Sequence, residues 1–491
     1  MSQPLLILSV IAGYFIVWMV VSYFSSKGAD NSTFFSGNRK MPWPLVAVAM
    51  IGAPITGVTF ISVPGMVAAK GYSYLQMGLG FIVGYIIIAL VLIPLYYKLN
   101  IVSIYGFLQK RFGRTSSKTG AWLFFVSKIL GISIRFLMVC AMLQLIVFDP
   151  LGISYIYSVI IGLILVWVST YKGGVKSVIW GDILKSFCLI TTIALCFYFI
   201  ASNLGFSLGD LASEISSHSS SQILYLDDPM EGKYFWKQFI AGIVIVIAMT
   251  GLDQDMMQRT LACRNPRDAR KNLIVSSVMQ VAVIALLLFL GSALMIYTET
   301  KGLEIPAKTD NLFATVAFHQ DIPVIVGALF VLGLIAATYA SVGSALTAMT
   351  TSMTVDILEA DRKEGLSRRR KMVHTMISVA MAAIVIFFYY LNQEDALSTV
   401  FTLISYTDGP ILGLFLFGIL SKRQVNQRWL PLVCILSPIL SWFVQWLVRY
   451  WFAYETSYEL IILNAAFTYC GMRMISDPVD DKAGSSNFIT A

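Results

Sequence analysis

Thirteen stretches of this chain are each long and apolar enough to cross a lipid bilayer, and this repetition constrains the fold more than any other feature. A helical span needs roughly 20 consecutive apolar residues. Such stretches run at about 4–24, 42–67, 72–97, 119–147, 151–170, 177–201, 236–262, 273–296, 322–352, 372–391, 397–420, 428–451 and 457–474. In hydrocarbon every backbone polar group must be satisfied internally, so an uninterrupted apolar run of this length becomes a helix. The expected fold is an all-α polytopic membrane protein of about 13 spans. With 57% hydrophobic and 13% charged residues, a soluble globular domain is excluded. No charge precedes the first stretch and no clear cleavage site follows it, so it reads as a helix rather than a cleaved signal peptide.

The basic residues orient the bundle. With the N-terminus outside, 26 of the 35 Lys and Arg residues fall in inward-facing loops, span ends and the tail, 6 face outward, and 3 (Lys128, Arg135 and Lys185) lie within spans. The excess of positive charge on the cytoplasmic side predicts an N-out, C-in protein of the cell (inner) membrane. The net charge of +8 follows from that asymmetry and needs no nucleic-acid partner.

Enzymatic readings find no support. The six cysteines are scattered in or beside spans without a CxxC pair, so neither a disulfide framework nor a thiolate metal site is expected. No GxxxxGK[ST] loop is present to bind ATP. His218, His319 and His374 lie in polar loops or at a span end, with no nucleophile and base at catalytic spacing. One membrane domain is expected over 1–475, made of an extra N-terminal helix at 4–24, a core over 42–420 and C-terminal helices over 428–474. A disordered tail is expected at 476–491.

Two spans break their own periodicity. The second carries Gly52-Ala53-Pro54-Ile55-Thr56-Gly57 at its midpoint. Proline lacks a backbone donor and opposes a regular turn, while flanking glycines tolerate unusual dihedrals. The seventh reads AMTGLDQDMMQR over 248–259, with Thr250-Gly251 near its middle. Counted from the second span these are the first and sixth, which suggests two five-helix units of opposite topology with a binding site near the midplane. A third anomaly is AATYASVGSALTAMTTSM at 336–353, where Ala337, Ser341 and Ser344 share one helix face. Such a stripe suits close helix packing, and its hydroxyls also suit a hard cation.

Charged residues inside spans need a partner or a task. Asp182 lies about a turn and a half into the sixth span, and Lys185 is placed to pair with it or to snorkel toward the interface. Arg135 is midway along the fourth span with Lys128 seven residues earlier. Its partner is either a structural acid such as Asp253 or a substrate carboxylate held in a bidentate fork.

From these residues the chain resembles the sodium:solute symporters, over roughly 30–450. The resemblance rests on TFISVPG (59–65), KGGVKSVIWGDILKSF (172–187), DQDMMQRTLACRNPRDARKN (253–272) and the 336–357 stripe ending in VDI. It implies a LeuT-type fold with a 5+5 inverted repeat and a main sodium site built from carbonyls near Gly52, Ile55 and Ala337 plus two adjacent hydroxyls. Here that adjacent pair is Ala340-Ser341, which leaves Ser341 as the single side-chain ligand. Members of the sialic acid branch suggest a second ion between Asp182, Ser341 and Ser344, or a proton relay through Asp182, and an arginine matching Arg135 that meets the substrate carboxylate. Expected cargo is one sodium ion or two, together with a small organic solute in a monomeric carrier. Thr56, Thr59, Tyr74, Gln76, Arg135 and Gln254 are the expected pocket residues. The favoured solute is an acidic sugar or another small carboxylate, with a neutral sugar or amino acid as the alternative. An uncoupled channel or transporter-like sensor is the reading from another class, sustained by Ala340.

Overall fold

The computed structural model describes residues 3–360, 364–391, 394–452 and 459–478, and each of the thirteen apolar stretches is helical in it. We number them α1 (Gln3–Ser26), α2a (Trp43–Gly52) with α2b (Gly57–Lys70), α3 (Ser73–Lys98), α4 (Arg114–Leu151), α5 (Tyr155–Thr170), α6 (Val175–Leu204), α7a (Phe235–Gly251) with α7b (Gln254–Thr260), α8 (Pro266–Lys301), α9 (Val324–Ile357), α10 (Leu366–Leu391), α11 (Glu394–Leu420), α12 (Leu430–Phe452) and α13 (Glu459–Met474). Among the described residues, eight of these are long and apolar enough to span a membrane singly, and ten are if each bent pair counts as one span. The stretches below that length include α5, whose 16 residues rise about 24 Å against a hydrocarbon core of about 30 Å. Of the expected tail, Ser476–Asp477 pairs antiparallel with Gln424–Val425, and 479–491 lie outside the described residues.

Both expected breaks are present, with bends of 57° between α2a and α2b and 74° between α7a and α7b. Each break is chemically closed. Thr56 caps α2b by accepting from the Thr59 amide, and Asp253 caps α7b by accepting from the Asp255 and Met256 amides. Carbonyls released at the second break take donors from elsewhere. The Tyr96 hydroxyl donates to the Gly251 carbonyl at 3.0 Å and the Tyr105 hydroxyl to the Leu252 carbonyl at 3.4 Å. Unwound backbone at membrane depth persists only with such partners or at a cavity wall.

The small-residue helix α9 is the centre of the bundle. In its most apolar window 83% of residues are buried, against 17% for α12. It packs on α1, α2b, α4, α5, α6 and α10, and small side chains make those close approaches possible. Gly57 marks the tightest crossing, since a Cβ there would collide with the Thr338 hydroxyl. The stripe is therefore a packing surface along most of its length, and its hydroxyls are mostly satisfied within the helix. Thr338, Thr347, Thr350 and Thr351 each donate to the carbonyl four residues earlier.

Candidate functional site

Between the two breaks lies a cavity of about 240 Å³. Ala53 to Thr56 and Thr59 of the first broken helix form one wall, and Thr250, Asp253, Asp255 and Met256 of the second form another. Lys128 and Arg135 reach it from α4, Tyr74 and Phe81 from α3, Ser341 from α9 and Asp408 from α11. Its volume suits a small organic solute, below the roughly 300–1,000 Å³ of drug-sized pockets.

The charges around this cavity form a connected chain. Lys128 Nζ bridges Asp253 Oδ2 at 2.8 Å and Asp255 Oδ2 at 2.9 Å. Arg259, 1% exposed, takes Asp255 Oδ1 at 3.0 Å through one terminal nitrogen and Asp182 Oδ2 at 2.7 Å through Nε. The Ser344 hydroxyl also donates to Asp255. Two basic and three acidic groups thus pair across α4, α6 and the second broken helix, the condition under which buried charge is tolerated, and they leave one excess negative charge. Two cavity-lining groups remain outside this chain. Arg135 has no hydrogen-bond partner among the described residues, and Asp408 accepts only from the Ser127 hydroxyl at 3.4 Å.

The expected ion-site residues are distributed as follows. Gly52 and Ile55 flank the first break, where the Ile55 amide donates to the Gly52 carbonyl at 3.0 Å. Ser341 faces the same break, and its hydroxyl donates to the Ala337 carbonyl at 2.8 Å. Asp182 and Ser344 sit beside these residues, yet each is engaged by the ion-pair chain. Arg259 holds Asp182 through Oδ2 at 2.7 Å, while Oδ1 is buried with no hydrogen-bond partner among the described residues. Lys185 neither pairs with Asp182 nor snorkels. It is fully buried and its Nζ donates to the Ser341 hydroxyl at 2.9 Å.

Of the expected pocket residues, Thr56, Thr59, Tyr74 and Arg135 line the cavity. Gln76 and Gln254 do not. Gln76 holds the loop before α7a, donating to the Lys233 carbonyl at 2.9 Å and accepting from the Tyr225 amide at 3.1 Å. Gln254 accepts from the Ile104 amide at 2.9 Å and so anchors the segment after α3. A glutamine near a helix start binds loop backbone as readily as a solute, and the sequence does not separate the two uses.

Sequence reasoning missed Arg259 and Asp408 as members of this region. Arg259 reads as a loop-side positive charge, but its spacing four residues after Asp255 places both on one helix face, which was the available signal. Asp408 was legible as an acid inside an apolar run, in SYTDGP. Likewise, Asp253 finds Lys128 rather than Arg135 as its ion partner.

Comparison with known proteins locates this arrangement. Residues 34–428 match the family model described as Sodium:solute symporter family. The Sodium/sialic acid symporter NanT of Aliivibrio fischeri is 24% identical over 94% of this chain and 93% of its own length. The human Sodium-coupled monocarboxylate transporter 1 is 26% identical over 83% of this chain and 70% of its own. A solved structure of a Na+-coupled sialic acid symporter in a substrate-bound outward-open state superposes with a TM-score of 0.82 at 18% identity, covering 96% of this chain and 99% of that one.

Proposed function

Because the chain belongs to the sodium:solute symporter family, we propose that it imports a small organic carboxylate together with sodium. It is a transporter of LeuT-type fold and not an enzyme. The solute class proposed is an acidic sugar of the sialic acid kind or a simpler monocarboxylate.

Arg135 carries this reading. Its guanidinium lines the cavity with no hydrogen-bond partner among the described residues, while Lys128 is already held by two carboxylates. A guanidinium in a half-buried, membrane-depth site takes an anion, backbone carbonyls or water, and a carboxylate matches its fork. The relatives reported above are named for solutes that are themselves anions, which supports the same class. Thr56, Thr59 and Tyr74 supply polar contacts for the rest of the molecule.

Sodium in this reading binds between the first break and α9, using carbonyls near Gly52, Ile55 and Ala337 and the Ser341 hydroxyl. By fixing α2a and α2b against α9 it forms the wall of the solute cavity, so ion and solute binding favour each other reciprocally. One ion per cycle is proposed, since the Asp182 Oδ2 and the Ser344 hydroxyl that a second ion would use are engaged by Arg259 and Asp255. The carrier acts as a monomer in the cell (inner) membrane, N-terminus outside. Asp408 favours a second reading, an amino-acid zwitterion whose ammonium meets Asp408 and whose carboxylate meets Arg135. A thermal-shift panel of sialic acids, monocarboxylates, amino acids and neutral sugars in sodium tests both. Stabilisation by amine-free carboxylates supports the first reading, and stabilisation by amino acids alone supports the second.

A further inference from the structure

We propose that Lys185 is a tethered cation at the main ion position and competes with sodium for Ser341. The proposal rests on the reading of Ser341 as a sodium ligand and adds a residue that regulates its occupancy. Three observations meet at one place. Lys185 Nζ donates to Ser341 Oγ at 2.9 Å, and both side chains are buried, Lys185 fully. The lysine stem runs beneath the first break, since a Cβ on Gly52 would lie 3.5 Å from Lys185 Cδ. The position before Ser341 is Ala340, so no second hydroxyl offers sodium a ligand the ammonium does not already hold.

An ammonium and a sodium ion want the same thing from a neutral hydroxyl, its lone pair. Ser341 donates its own proton to the Ala337 carbonyl and accepts from Lys185, so its oxygen is turned toward a cation that the chain itself provides. A sodium ion arriving at that oxygen meets a like charge within van der Waals reach, and the two do not share the site.

The displaced ammonium has a place to go. Asp182 lies one turn earlier on α6, three residues before Lys185, and its Oδ1 is buried with no hydrogen-bond partner among the described residues, while Oδ2 holds Arg259. Movement of Nζ from Ser341 to Asp182 Oδ1 satisfies that orphan acceptor and clears Ser341 for sodium. Without sodium, the ammonium keeps α6 joined to α9 beside the first break. Lys185 therefore lowers apparent sodium affinity and holds the ion-free carrier in a defined packing.

Sodium-induced stabilisation of the purified full chain, titrated without solute against choline at constant ionic strength, reads this competition directly. Wild type is expected to respond with a weak midpoint, and Lys185→Met with a midpoint at least tenfold lower. Lys185→Arg, which keeps the positive charge, is expected to retain the weak response, and a midpoint as low as that of Lys185→Met would overturn competition by charge. Ser341→Ala is expected to abolish the sodium response in the Lys185→Met background. A sodium response of equal midpoint in wild type and Lys185→Met overturns the competition while leaving the sodium site in place. A response that survives Ser341→Ala, or no response in any variant, overturns the site itself and with it the proposal.

Discussion

Arg259 donates through Nε to Asp182 Oδ2 at 2.7 Å and thereby ties the second broken helix to α6 at full burial. Removing one partner of such a pair leaves an uncompensated buried charge, at about 3–5 kcal/mol. Arg259→Gln is expected to lower the unfolding midpoint strongly and to abolish uptake. Asp182→Asn in the same chain is expected to recover a substantial part of the stability, because the charge left unpaired is then gone. A double variant no more stable than Arg259→Gln alone would show that the pair contributes by packing rather than by charge.

Asp182→Asn alone is expected to leave the sodium-to-solute ratio unchanged, measured as paired radiotracer fluxes in liposomes. The reason is that Asp182 is the anchor of a guanidinium in this account and not an ion ligand. A ratio lowered by one ion in the variant would restore Asp182 and Ser344 as a second sodium site.

Arg135→Ala is expected to reduce carboxylate uptake at least a hundredfold, about 2.8 kcal/mol at 1.4 kcal/mol per tenfold. Sodium-induced stabilisation should persist, because the ion site lies across the cavity at Ser341. Uptake within a few-fold of wild type would remove the carboxylate reading.

Asp408→Asn separates the two solute classes. For an amine-free carboxylate, transport is expected to stay within about threefold of wild type or to improve, since a repelling charge has left the cavity. Loss of uptake confined to amino acids would assign Asp408 to a substrate ammonium.

Gly57→Ala tests the crossing that brings α2b against α9. A Cβ there collides with the Thr338 hydroxyl, and overpacking of this sort typically destabilises by about 1–3 kcal/mol. Thr338→Ala is expected to relieve part of that loss when combined with it. If Gly57→Ala is as stable and as active as wild type, the two helices are further apart at this point than described.

How much of this could be read from the sequence depends on the range of the forces involved. The helices, both breaks and the central role of 336–353 follow from local rules, namely hydrophobic run length, proline and glycine chemistry and small-residue patterning. The ion-pair chain does not, because it joins α4, α6 and α7b through side chains far apart in sequence. The sequence offered Asp253 as a structural partner for Arg135, and packing gives it to Lys128. Lys185 had Asp182 one turn away as its evident partner, yet the acid is taken by Arg259 and the ammonium crosses to α9. Gln76 and Gln254 failed as pocket residues for a related reason. Neighbouring loop amides and carbonyls claim them first. The apolar criterion began the fifth span at 151, whereas α5 starts at Tyr155, after the turn at Gly152.

Solute accumulation in proteoliposomes tests the central claim most directly. With sodium outside, potassium inside and an inward-negative potential, a carboxylate that stabilises the protein is expected to accumulate above its external concentration. Each translocated charge adds about 2.3 kcal/mol per 100 mV to the driving force. Collapsing the sodium gradient should return the solute to equilibrium. Equilibration at the same rate and extent with or without that gradient would contradict coupled symport and identify an uncoupled pathway.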